Sequence, residues 1–72
     1  MNEYKYYCIM RPPMPGGIPK GAFEVCAFRE RRYVPEIDRM AWGYVKYTHL
    51  LCYAEIREYE LISAPREDEA ND

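Results

Sequence analysis

Residues 3–10 alternate in a two-residue period. Tyr4, Tyr6, Cys8 and Met10 share one face of an extended chain, and Lys5, Tyr7 and Ile9 share the other. Tyrosine and isoleucine suit a pleated, half-buried surface, so this stretch predicts a first strand. The same period recurs over residues 22–30, AFEVCAFRE, where Phe23, Val25 and Ala27 oppose Glu24, Cys26 and Phe28. A third strand is predicted over residues 40–48, MAWGYVKYT, with Trp42, Tyr44 and Lys46 opposite Ala41, Val45 and Tyr47. Gly43 at its centre signals either a bulge or close packing beneath a ring.

From Leu51 the period lengthens. Leu51, Tyr53 or Ala54, and Ile56 recur at helical spacing, and Glu55, Arg57 and Glu58 occupy the rest of the surface, which predicts a helix over 51–59. Thr48 is the candidate N-cap, although Leu51 rather than a glutamate stands three positions on. The segment YELI either closes the helix or forms a short fourth strand, and Ser63 and Pro65 end regular structure. One apolar sheet face needs a cover, and the helix is the candidate. The expected fold is α+β: a small antiparallel sheet of three or four strands with one C-terminal helix packed on it. A single domain is expected over 1–63, followed by an acidic disordered tail over 64–72. The expected core includes Val25, Val45, Leu51 and Ile56, with Trp42 partly or wholly buried.

Between the first two strands lies RPPMPGGIPKG, residues 11–21, which holds four of the six prolines and three of the four glycines. An interdomain linker is excluded, because 72 residues leave no room for two domains. A polyproline ligand needs regular proline spacing with a basic residue in register, which this segment matches only loosely. A structured inter-strand loop is the better reading: its prolines lower the entropy lost on ordering, and Gly16 and Gly17 permit a positive-φ turn. Met14 and Ile18, at the tip, are candidate partner contacts.

Eleven aromatic residues, eight of them tyrosine, argue against disorder for most of the chain. They also suit a thin sheet or a protein interface. Net charge is −2, but the last nine residues carry four acidic side chains against one arginine, so the remainder is nearly neutral. No apolar run approaches a membrane span, and the first residues lack the pattern of a secretory signal. Three cysteines fit a reducing compartment better than a disulfide framework, so a cytoplasmic location is expected.

The sequence contains no Gly-rich phosphate loop of the GxxxxGKS type, no HExxH and no paired CxxC, and it has a single histidine. A non-catalytic protein without a cofactor is therefore expected. Cys8, Cys26, His49 and Cys52 would complete a tetrahedral zinc shell, and His49-x-x-Cys52 has a metal-ligand spacing. Against zinc, Cys8 and Cys26 stand alone in strands, and free cysteine is commonly just buried; plain buried cysteines are the preferred reading. Arg29, Arg31, Arg32 and Arg39, with Tyr33, fall in the expected connection RERRYVPEIDR. Arginine beside an aromatic suits a protein hot spot or a single-stranded nucleic-acid surface, and Glu30, Glu36 and Asp38 would partly cancel its field.

The segments YKYYCIMRPPMPGGIPKGAFE, AWGYVKY and YELI together resemble small proteins of bacterial conjugative elements and prophages, related to domains of large polyvalent proteins. The similarity spans residues 4–62 and rests on structural positions; Cys8, Cys26 and Cys52 depart from the pattern. The resemblance implies a context in which small non-catalytic proteins, anti-CRISPR and antirestriction proteins among them, bind and block host defence nucleases. It implies inhibition of such a nuclease by protein contact, with a type II CRISPR effector favoured; Arg29, Arg31, Arg32, Tyr33, Met14 and Ile18 are the candidate contacts, because arginine and tyrosine are frequent at interface hot spots and the loop tip is expected to be exposed. The alternative is a small nucleic-acid-binding accessory protein that uses the Arg29–Arg39 cluster. A homo-oligomer formed by pairing of sheet edges is compatible with either.

Overall fold

The structure, a computed structural model, describes residues 2–65. Four strands and one helix follow in the order β1 (Tyr4–Cys8), β2 (Glu24–Val34), β3 (Arg39–Tyr47), α1 (Tyr53–Glu58) and β4 (Leu61–Ser63). The strands form one antiparallel sheet in the order β2-β3-β1-β4. This is the α+β architecture expected from the alternation, and YELI does supply a fourth strand.

Alternation sorts β1 onto two faces. Tyr6 and Cys8 join Val45, Tyr47, Leu51 and Leu61 in one buried cluster. Tyr7 joins Val34, Ala41 and Ala64 in the other, with Ile9, Phe28, Ile37 and Tyr44 against it. Of the expected core, Val45 and Leu51 are buried, while Ile56 and Trp42 are half-buried. Val25 is not core: it is 48% exposed, because β2 lies at the sheet's edge with a neighbour on one side only.

The helix shares its covering role. None of its residues is fully buried, and only Ile56, with Tyr59 just beyond its end, packs on the first cluster. Ile18 and Ala22, from the Pro/Gly loop, pack on the same cluster. The buried Tyr47 hydroxyl donates to the Pro19 carbonyl at 2.6 Å, tying the loop down. Pro13 is buried, and its ring stands where a Gly43 side chain would be, with Cδ 2.8 Å from an added Cβ. Gly43 thus lies beneath a ring, and that ring is a proline.

Helix α1 starts later than the sequence suggests. Its N-cap is Cys52 rather than Thr48, and Glu55 reaches back to accept from the Cys52 N–H at 3.1 Å. The Leu51 N–H is taken up by the Tyr6 hydroxyl at 3.0 Å, so the turn into the helix is pinned to β1.

Strand β2 runs four residues past its expected end, and the connection to β3 shrinks to a turn over 35–38. The cluster RERR followed by Tyr33 is therefore strand, not loop. Pairing shifts between Ala27↔Gly43 and Arg32↔Ala41, which leaves residues 28–31 opposite Trp42 alone. A bulge of this kind bends a hairpin. Here the hairpin tip reaches back to β1, where Glu36 accepts from the Tyr7 hydroxyl and lies 3.6 Å from Lys5 Nζ.

Ala64 is buried, and its N–H donates to the Lys5 carbonyl at 2.9 Å. The remainder of the expected acidic tail, from residue 66, lies outside the described residues.

Candidate partner-binding surface

Arg29, Arg31, Arg32 and Tyr33 all stand on β2, and all are exposed. Their shared position follows from the topology: β2 is an edge strand, and of its eleven residues only Val34 is buried. Arg32 lies over the Phe28 ring, 4.2 Å from its centroid, and Phe28 meets Tyr44 edge-on. Arg29 and Arg31 form no ion pair with another described residue.

The carboxylates that interleave with the cluster in sequence do not all remain beside it. Glu36 is drawn to β1 by Tyr7 and Lys5. Asp38, at positive φ in the turn, accepts from the Tyr33 hydroxyl, and this hydrogen bond raises the phenol's pKa above its ordinary value. Glu30 alone stays among the arginines in the chain's order.

Met14 is exposed at the turn of the Pro/Gly loop, where the Gly17 N–H closes onto its carbonyl at 2.8 Å. Ile18 is not exposed at the tip as expected; it is half-buried and packs on the core, because the loop lies down on the sheet. Its outer side helps line a groove of about 340 Å³ with Pro15, Pro19, Ala22 and Val25. The loop contact and the arginine cluster are thus both linked to β2, but at opposite ends of it.

Sequence reasoning did not single out Phe23, Val25, Leu50 and Tyr53, which are all exposed. The first two share one face of the expected strand, on which Val25 reads as core; only the strand order reveals that nothing covers them. Tyr53 reads as helix and is its first residue, next to the N-cap Cys52, while Leu50 lies just outside the expected helix.

The second face carries a ladder of cations and rings. Lys5 Nζ lies 4.4 Å from the Tyr44 centroid and 4.9 Å from that of Tyr7, and Lys46 lies 5.8 Å from Tyr44. The Tyr44 hydroxyl donates to Glu24 at 2.9 Å, and chiefly for that reason its pKa is pushed up to about 12. Lys46 also pairs with Glu3 at 3.4 Å and Glu24 at 3.7 Å, so much of this face is internally neutralised.

The cysteine and histidine donors do not assemble. Cys8 pairs with Gly43 on the first face, while Cys26 pairs with Tyr44 on the second, so the sheet itself lies between them. Burial pushes the Cys8 thiol up to about 11, which disfavours the thiolate a metal requires. Cys52 is exposed at the helix start, and His49 stacks edge-on against Tyr47. Among the described residues, no three His, Cys, Asp or Glu side chains come together in a group that could hold a metal ion. The residues Cys8, Cys26, His49 and Cys52 are therefore not brought together.

Among the described residues, no helix is long and apolar enough to cross a membrane. No curated protein and no solved structure matches the chain. Residues 1–66 match the family described as Defence against restriction A C-terminal, which spans the whole sheet, the Pro/Gly loop and the helix. The chain accordingly belongs to the Defence against restriction A C-terminal family, an anti-restriction family that points to a phage or mobile-element protein acting against host defence.

Proposed function

We propose that the chain is a non-catalytic inhibitor that binds a bacterial defence nuclease by protein–protein contact, with β2 as its principal contact surface. The observation that carries this reading is the placement of Arg29, Arg31, Arg32 and Tyr33 on an exposed edge strand. Arginine and tyrosine dominate interface hot spots, and Arg29 and Arg31 are not spent on ion pairs within the described residues. Family membership supports host defence as the target system. On our reading a restriction endonuclease is the first target to test, with a type II CRISPR effector as the second.

The non-catalytic part of the proposal rests on what the chemically capable groups do. His49 packs against Tyr47, the Ser63 hydroxyl is turned to the Ala64 carbonyl at 3.4 Å, and Cys8 is buried.

The test is inhibition of DNA cleavage by a purified restriction endonuclease and by a CRISPR effector, with wild-type protein and with Arg29→Ala/Arg31→Ala/Arg32→Ala. Stoichiometric inhibition that the triple variant loses supports the proposal. No inhibition of either enzyme, or inhibition unchanged in the triple variant, overturns it.

A second reading has its own observation, the rings of Phe28 and Tyr44 overlaid by Arg32, Lys5 and Lys46. A single-stranded nucleic acid uses such platforms. Its binding would weaken steeply with salt, whereas a tyrosine-rich protein interface would lose far less. The ion pairs of Lys5 and Lys46 with Glu36, Glu3 and Glu24 weigh against it.

A further inference from the structure

We infer that the outer edge of β2 accepts an extended, acidic segment of its partner as an added fifth strand. This rests on the reading above that β2 is the contact surface, and it names the partner chemistry and the mode of contact.

The argument starts from backbone groups. β2 is bonded to β3 on one side and, among the described residues, has no neighbouring strand on the other. An edge strand leaves a row of N–H and C=O groups able to bond an incoming strand. At eleven residues β2 is the longest strand of the sheet, and its edge is not blunted by proline. Across the register shift β3 offers Trp42 alone against residues 28–31. Those four residues include Arg29 and Arg31.

Charge then selects the occupant. Glu24 is committed to Tyr44 and Lys46, which leaves Arg29, Arg31 and Glu30 as the charges on β2 outside any described ion pair or ring contact. A second copy is disfavoured, since antiparallel pairing of two β2 strands about their basic segment sets arginine opposite or diagonal to arginine. An acidic strand meets both requirements, hydrogen-bonding the edge while its carboxylates reach Arg29 and Arg31. A nucleic acid has phosphates for the arginines but no strand edge to match the amides.

The experiment uses three probes on the full chain. The first is a synthetic, end-blocked peptide of about ten residues, a common strand length, alternating glutamate with valine or threonine. The second is the same peptide fully N-methylated, which keeps the carboxylates but removes every N–H donor. The third is a short oligothymidylate. Affinity is read by titration, and position by backbone amide shifts and hydrogen exchange. The expected result is binding of the first peptide with protection of β2 amides, weakening by about tenfold or more on N-methylation, which corresponds to about 1.4 kcal/mol. Arg29→Glu/Arg31→Glu should abolish binding while the amide spectrum of β1, β3 and β4 stays unchanged.

Equal binding of both peptides would reduce the contact to charge alone and overturn the inference. Protection at β4 instead of β2, tighter binding of the oligothymidylate at β2, or no peptide binding would each do the same. Failure here with nuclease inhibition intact removes only strand addition; loss of inhibition by the unmodified protein removes the reading beneath it.

Discussion

Pro13 lies directly on Gly43: an added Cβ would sit 2.8 Å from the proline Cδ and would also collide with the Cys26 carbonyl. This contact joins the Pro/Gly loop to the middle of β3 and explains why a glycine stands in the middle of that strand.

Gly43→Ala should therefore destabilise the fold by about 1–3 kcal/mol or more, the range of overpacking in a core that cannot yield. One clash is with backbone, so the loop or the β2–β3 pair has to shift. Denaturant unfolding measures the loss; a change below about 0.5 kcal/mol would show that the contact is not rigid.

Tyr47→Phe removes the hydroxyl that donates to the Pro19 carbonyl and leaves that acceptor buried beside the ring. A loss of about 1–3 kcal/mol is expected. Exchange of the loop amides, including that of Gly17, should speed up more than that of β1. Uniform acceleration would mean the bond holds the whole fold rather than the loop.

Val25 and Val45 face each other across β2 and β3, yet one is 48% exposed and the other 0%. Val45→Ala should cost about 2–3 kcal/mol by lost burial and cavity formation. Val25→Ala should stay within about 0.5 kcal/mol. Similar losses at both sites would contradict the edge position of β2.

Alkali should unfold the protein early. Burial pushes Cys8 up to about 11 and Tyr47 up to about 12, and Tyr44 stands at about 12 through its bond to Glu24. Tyr7 is raised further, first by burial and then by Glu36. In each case the folded state holds the proton more tightly than the unfolded chain does. Their contribution is thus complete below the unfolded values, near 9 for cysteine and 10 for tyrosine, and is lost as pH rises through the folded ones. Melting temperature followed from about pH 8 to pH 12 should fall chiefly above pH 9. Glu36→Gln should lower the Tyr7 value without restoring it to normal, since burial remains; tyrosinate absorbance reports this directly.

Local order explains what could be read from the chain. The strand faces of β1 and β3 follow from side chains alternating about an extended backbone, and that period is written in Tyr4 to Ile9 and in Ala41 to Tyr47. The ring over Gly43 was legible as a missing side chain, although nothing local named Pro13 as its occupant. The fourth strand was readable only as one of two options, because three residues pair with β1 solely through the tertiary fold. The extension of β2 through RERRYV was not readable: charged residues look like loop unless one knows that the strand lies at an edge, where both faces can be wet.

The sequence by itself determined the periodicities, the α+β class, the stop imposed by the prolines and the near-neutral charge of residues 1–63, since each is a property of neighbouring residues. Only the tertiary structure decided which strand was outermost, and with it the exposure of Val25 and the gathering of Arg29, Arg31, Arg32 and Tyr33 on a free edge. It also separated Cys8 from Cys26 by a sheet and turned Glu36 away to Tyr7. Those outcomes depend on strand order and on a bulge, which arise from contacts between residues distant in the chain.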